Sequence, residues 1–252
     1  MSRVAARFGR AAGTYAHATA VQRQVAAALA DRIASSGLAS GARVAEFGCG
    51  TGYLPLALWP RLRPGLWVAT DIAPAMASMA RRALPPQAAV AVMDAERPAL
   101  TPGFDLVCSS LTLQWLHDPA AAVAGWRALA RPGGVLAVAT LLEGTFAEWR
   151  TALAEAGVEP PAPAFPTLEA ATAWFDRGAW TQTLTLTERH AGALAFLRAA
   201  RESGIDASDS RPLDAGVMRK AARALEARGS AITYRVLLAV ESPPATVRVE
   251  PA

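Results

Sequence analysis

Lysine is almost missing from this chain: Lys220 is the only one among 25 basic residues, and the others are arginine. A Tyr-x-x-x-Lys pair, the acid–base couple of many dehydrogenases, is therefore absent. Cysteine is scarce as well. Cys49 and Cys108 lie in or beside strand-like runs, which predicts small buried fillers rather than a disulfide or a metal site, and a reducing cytoplasm as the compartment. Only three histidines occur, His17, His117 and His190, in no metal-ligand spacing. No apolar run approaches the roughly 18 residues that span a bilayer. Arg3, Arg7 and Arg10 are not followed by an apolar block, so the first residues do not read as a secretory signal.

The 252 residues suffice for one large domain with a core, and 52% of them are hydrophobic, much of that alanine. The formal net charge is +4, and its distribution is uneven. Residues 1–30 hold four arginines and no acid, while residues 189–235 hold nine basic and five acidic side chains. A basic rim suits an acidic partner or is a solvated surface. No nucleic-acid module and no basic stretch interleaved with aromatics is present.

The densest chemical signal is Glu46-Phe47-Gly48-Cys49-Gly50-Thr51-Gly52. It follows a short apolar run at 43–45 that reads as a buried strand and precedes an apolar helical segment at 53–61. Alternate glycines describe a backbone that turns sharply and lets a ligand lie on it. The helix that follows offers free N–H groups to an anion. The spacing is G-x-G-x-G, one residue shorter than the dinucleotide fingerprint. Strand-like runs then end at Asp71, 19 residues beyond Gly52, and at Asp94, after Met93; a fourth starts at Phe104-Asp105, and a fifth follows Arg131-Pro132-Gly133-Gly134. An acid about 20 residues beyond the glycines is placed to read ribose hydroxyls. Taken singly, Asp71 and Asp94 are equally readable as helix caps.

Together these motifs resemble the class I methyltransferases that use S-adenosylmethionine. The resemblance implies an α/β, doubly wound, Rossmann-like seven-stranded sheet whose last two strands form an antiparallel hairpin, with an N-terminal helical extension and a partial lid. It assigns cofactor contacts to Glu46, Gly48, Gly50, Gly52, Asp71, Ile72, Met76, Asp94, Ala95 and Ser110. Residues 1–40 read as a helical cap, 41–157 as the cofactor core, 158–241 as lid, helices and closing strands of the same domain, and 242–252 as a tail. Helices are expected at 15–35, 74–83, 119–130, 167–175, 191–203 and 213–228, and strands at 180–187 and 232–240. Four prolines in 159–166 mark a loop.

At finer grain the chain resembles the malonyl-acyl carrier protein O-methyltransferase family of biotin synthesis. The matching pieces are Phe8 to Ala12 with Tyr15 and Gln22, the Leu113-Gln114-Trp115 run, Thr140-Leu141 with Gly144-Thr145, Ser203 to Ala207, and Ile232 to Val236. Thr51 departs from the proline often found at its position in that family. The resemblance implies methylation of the free carboxylate of a malonyl thioester on an acidic acyl carrier protein, giving a methyl ester and S-adenosylhomocysteine. It implies no metal, no membrane and no nucleic acid. A carboxylate is ionised at neutral pH, so no general base is needed. Tyr15, Gln22 and Trp115 are the expected positioning residues, and Arg198, Arg201, Arg211, Arg219 and Arg223 the expected carrier contacts. His117 reads as a loop residue beside a helix cap. Two other readings share the same core: an O-methyltransferase for a small free carboxylic acid, and a non-catalytic methyltransferase-like binding subunit.

Overall fold

The computed structural model describes residues 20–159, 165–202 and 214–242. Strand β1 (Arg43–Phe47) is buried from Val44 onward, as an apolar run flanked by helices on both faces must be. Side chains alternate between faces along it. Val44 joins the core layer that holds Val25, Leu29 and Ile33, while Ala45 and Phe47 join the opposite layer around Val123 and Trp126. The strand extends two residues past its expected end because Glu46 and Phe47 remain in register with Ala69 and Thr70 on one side and with Cys108 and Ser109 on the other.

Strands β2 (Leu66–Asp71), β3 (Ala88–Val92), β4 (Phe104–Ser110), β5 (Ala130–Leu141), β6 (Trp180–Arg189) and β7 (Ala231–Glu241) complete one sheet. Their order is β3-β2-β1-β4-β5-β7-β6, parallel up to β5, with β7 antiparallel to both β5 and β6. The order reverses between β1 and β4, and open α/β sheets bind ligands at such a switch point, beyond the carboxyl ends of the strands.

Helices α1 (Ala20–Ala34) and α2 (Tyr53–Leu62) cover one face of the sheet through Val25, Leu29, Leu54 and Leu58. Helix α3 (Pro74–Ala83) packs beside β2 and β3 with proline in its first turn, where the missing N–H breaks no helical bond. Helix α4 (Pro119–Leu129) covers the other face; the Asp118 carboxylate accepts from the Ala121 N–H at 2.9 Å and caps it. Trp126 of this helix stacks on Phe47 with ring centroids 5.0 Å apart and donates its indole N–H to the Ala95 carbonyl at 2.8 Å. That bond ties α4 to the loop after β3.

The C-terminal part contains α5 (Ala147–Glu155), the short α6 (Leu168–Thr172), α7 (Ala193–Glu202) and α8 (Ala215–Ala227). Two boundaries differ from expectation for a visible reason. β5 begins at Ala130, because Ala130 already pairs with Phe104 across a bulge. The helix expected over 167–175 stops at Thr172, where the chain tightens into turn bonds, Trp174 N–H to Ala171 and Phe175 N–H to Thr172, and buries Phe175 against the α4 layer. β6 and β7 pair antiparallel over ten residues, as expected, with α7 and α8 in the connection between them.

Candidate active site

The tips of β1, β2, β3 and β4 and the start of α2 surround a cleft of about 1290 Å³, counted with the solvent at its open side. Gly48, Gly50 and Gly52 all adopt left-handed conformations, with φ of 67°, 53° and 95°. At Gly48 a second constraint applies. A Cβ there would lie 2.0 Å from the Thr112 hydroxyl, so the turn after β4 closes on bare backbone. Side-chain bulk at Gly48 would push that turn away from the cleft.

Asp71 organises the glycine turn. One of its oxygens accepts from the Gly50 N–H at 2.9 Å, and the other accepts from the Ala73 N–H at 2.8 Å. Burial raises its pKa, and the two N–H groups oppose that rise. Each oxygen keeps a further lone pair for a ligand hydroxyl. The cap reading and the ribose reading of Asp71 are thus compatible.

Glu46 is 1% exposed and lines the same cleft. It accepts from the Trp67 indole N–H at 3.0 Å. Burial pushes its pKa up to about 8; the indole bond opposes the shift and the nearby Asp71 charge adds to it. Asp94 is exposed at the end of the β3 loop and turns back on the Glu96 N–H at 3.0 Å. Glu96 in turn accepts from the backbone N–H groups of His117 and Asp118, at 2.9 and 3.1 Å, and its other oxygen stands 3.0 Å from His117 Nδ1. These bonds lower the Glu96 pKa against the effect of partial burial, and the Glu96 bond raises that of His117. His117 is a loop residue beside the α4 cap, as expected, and also pairs with Glu96 in the cleft lining.

Most of the expected cofactor residues converge. Glu46, Gly48, Gly50, Asp71, Ile72, Asp94, Ala95 and Ser110 all line the cleft, as do Gln22 and Trp115. Gly52 and Met76 stand outside the lining. Gly52 serves the turn and the packing: its N–H donates to the Cys49 carbonyl at 2.8 Å, and a Cβ on it would meet Leu84 at 3.1 Å. Met76 is 1% exposed and packs with Ala73, with Ala75 and Met79 against them. Tyr15 and Arg211 lie outside the described residues. Arg198, Arg201, Arg219 and Arg223 are exposed on α7 and α8.

Sequence reasoning passed over Thr51, Leu111, Gln114 and Tyr234, which also line the cleft. Leu111 has φ 56°, an unusual left-handed setting for a bulky residue. Gln114 braces it, donating from Nε2 to the Leu111 carbonyl at 2.7 Å, with its Oε1 3.4 Å from the Thr140 hydroxyl. The Gln114-Trp115 pair in the sequence carried that signal, and only the tryptophan was assigned a role.

The lining fits S-adenosylmethionine on its own chemistry. Among the described residues it includes four carboxyl groups, Glu46, Asp71, Asp94 and Glu96, and no lysine or arginine, a setting that favours a sulfonium cation. Met93, Ile72 and Leu116 supply apolar surface for a base. The Thr51 hydroxyl oxygen is buried in the lining without a hydrogen-bond partner among the described residues. No cluster of three metal-ligating side chains occurs among the described residues.

Comparison with known proteins agrees with this geometry. Residues 45–138 match the methyltransferase domain family. The chain is 35% identical over 244 residues to the malonyl-[acyl-carrier protein] O-methyltransferase of Magnetococcus marinus, covering 93% of this chain and 90% of that one. It is 32% identical to the enzyme of the same name from a Paenibacillus species, covering 83% of each. It is also 39% identical over 235 residues to the biotin biosynthesis bifunctional protein BioCD of Bordetella avium, of which it spans only 50%. The fold is shared with the YcgJ protein of Bacillus subtilis, at a TM-score of 0.57 and 16% identity over 84% of this chain and 96% of that one. It is likewise shared with an S-adenosylmethionine-dependent methyltransferase of Thermotoga maritima, at a TM-score of 0.55 and 17% identity over 94% and 99%. Because a likeness above 30% identity covers nine-tenths of both this chain and the Magnetococcus enzyme, this chain belongs to the malonyl-[acyl-carrier protein] O-methyltransferase family of S-adenosylmethionine-dependent methyltransferases.

Proposed function

We propose that this chain methylates the free carboxylate of a malonyl thioester carried on acyl carrier protein, giving the methyl ester in an early step of biotin synthesis. The observation that carries the reading is the cleft itself: acid-lined at the cofactor end, flanked by Gln22 and Trp115, and lacking lysine or arginine among its described lining residues, in a chain that matches the family over nearly its whole length. Bound S-adenosylmethionine supplies an electrophilic methyl group on a sulfonium.

In this reading Asp71 holds the ribose hydroxyls, Asp94 accepts from the adenine amino group with Met93 against the ring, and Ile72, Ala95 and Ser110 complete the wall. Gln22 and Trp115, with Tyr15, orient the acceptor and exclude water. No base is required, because the acceptor carboxylate is already ionised. Opposite charges cancel as the methyl group passes, so a dry cleft helps and a tight cation on the reacting oxygen would hold the ground state instead. Alignment alone supplies roughly 7–11 kcal/mol in favourable cases.

The carrier is acidic as a class. Arg198, Arg201, Arg219 and Arg223 are exposed and make no ion pair among the described residues, whereas Arg61, Arg127, Arg131 and Arg228 each pair with an acid. Free cations of this kind suit an acidic partner; Arg211 belongs to the same proposal. Residues 1–40 act as a cap and 158–241 as a lid with closing strands, in a cytoplasmic enzyme. The test is mass spectrometry of malonyl-carrier protein incubated with the purified chain and S-adenosylmethionine. A gain of about 14 Da on the malonyl group is expected. Comparable turnover of free malonate, or no gain on the carrier, would overturn the assignment.

A further inference from the structure

The cleft lining follows the order of the sheet. Asp94 stands beyond β3, Asp71 ends β2, Glu46 lies in β1, Ser110 ends β4, Leu141 ends β5, and Tyr234 stands on β7. With the acids that suit ribose and adenine at the β2 and β3 end, the stretch toward β5 and β7 is left for the methyl acceptor. Tyr234 closes that stretch: no described residue of β6, the next strand, lines the cleft.

Tyr234 is buried and held at its ring, its hydroxyl and its backbone. The ring meets Phe146 edge-on, with centroids 5.2 Å apart, and Phe146 leans in turn on Phe196 at 5.9 Å. The hydroxyl donates to Glu188 Oε2 at 3.4 Å, and Nε2 of the buried His190 side chain stands 3.7 Å from the same oxygen. On either side along the chain, the Thr233 N–H donates to Glu148 Oε2 and the Arg235 N–H to the Thr145 hydroxyl, both at 3.0 Å. A side chain packed this way does not swing aside for a bulkier ligand. Burial, then the Glu188 charge, pushes the phenol pKa up, so the group is neutral and puts no charge on the reacting oxygen. We propose that the Tyr234 ring is the end wall of the acceptor pocket and sets the length of acyl chain that is methylated. A three-carbon diacyl thioester fits before the wall with its free carboxylate in line with the methyl donor, and a longer one meets the ring and buckles out of line. Such misalignment is costly to the rate. The proposal rests on the reading that the acceptor is a malonyl thioester.

The test is steady-state methylation of carrier protein loaded with malonyl, succinyl or glutaryl groups, diacyl chains of three, four and five carbons. In the wild type kcat/KM should fall at least about tenfold from malonyl to glutaryl, with the loss in kcat rather than KM, since the carrier docks equally well with each. That comparison does not depend on any variant folding. Tyr234→Leu, which removes the ring, should lower the malonyl-to-glutaryl ratio of kcat/KM at least about tenfold, while calorimetry shows S-adenosylhomocysteine binding within about twofold of wild type. Tyr234→Phe keeps the ring and should keep the ratio. A wild type that methylates glutaryl-carrier as well as malonyl-carrier would overturn the wall. So would an unmoved ratio in Tyr234→Leu, or a ratio that falls as far in Tyr234→Phe, which would assign the selection to the hydroxyl. No methylation of malonyl-carrier by the wild type would instead remove the acceptor reading itself.

Discussion

The indole N–H of Trp67 donates to the Glu46 carboxyl at 3.0 Å, and both side chains are almost completely buried, on neighbouring strands β2 and β1. A single neutral donor does not replace the hydration of a carboxylate, so Glu46 keeps its proton to about pH 8. The unfolded chain loses that proton near the ordinary value of 4.5. Between these values folding takes up a proton, and stability falls as pH rises.

Glu46→Gln removes that liability while keeping an acceptor for Trp67. Without ligand, the variant should match the wild type below about pH 4.5 and gain on it progressively toward pH 8, by several °C in Tm, since each kcal/mol is worth roughly 2–4 °C at this size. Differential scanning calorimetry across pH checks the sign. A wild type that gained on the variant as pH rose would show that Glu46 is buried as a carboxylate.

Gly48→Ala forces a Cβ into the Thr112 side chain at a backbone φ of 67°. The expected cost is about 1–3 kcal/mol in urea unfolding, together with weaker cofactor binding as the turn after β4 lifts. Thr112→Gly in the same chain, which removes the Cβ that would lie 2.8 Å away as well as the hydroxyl and methyl, should recover the steric part and leave the backbone part. Complete recovery would mean that the left-handed φ carries no cost.

The Glu96–His117 link has its own pH window. The His117 shift is upward, so its contribution is full below about pH 6.5 and is lost as pH rises through the raised value. The Glu96 shift is downward, so its contribution is present above its ordinary 4.5 and lost as pH falls through the lowered value. Proton NMR should show His117 titrating above 6.5, and returning toward 6.5 in Glu96→Gln. An unmoved His117 titration in the variant would remove the link in solution.

Reversing Arg198 and Arg223 to glutamate should raise KM for the carrier-bound substrate by up to about tenfold, since exposed ion pairs are worth roughly 0.2–1 kcal/mol each. The wild-type KM should also rise with salt, and turnover of a small malonyl thioester should not change in the variant. Equal losses on both substrates would move the carrier contact elsewhere.

Residue order alone determined the glycine turn, the acids at successive strand tips, the doubly wound sheet and, through segments matching from end to end, the family; these are local patterns of period, spacing and residue type. It also placed Pro74, Asp118 and Pro119 at helix starts, where their chemistry is read without neighbours. Only the tertiary structure decided which members of those motifs line the cleft. Gly52 lies against Leu84 outside the lining, and Met76 packs with Ala73. Thr112, far from Gly48 in sequence, sets the need for bare backbone there, and burial within the sheet, opposed by the Trp67 bond, sets the protonation of Glu46. The physical reason is common to all four: steric and dielectric environments are built by residues brought together across the sheet, and no local pattern records which side chain will arrive.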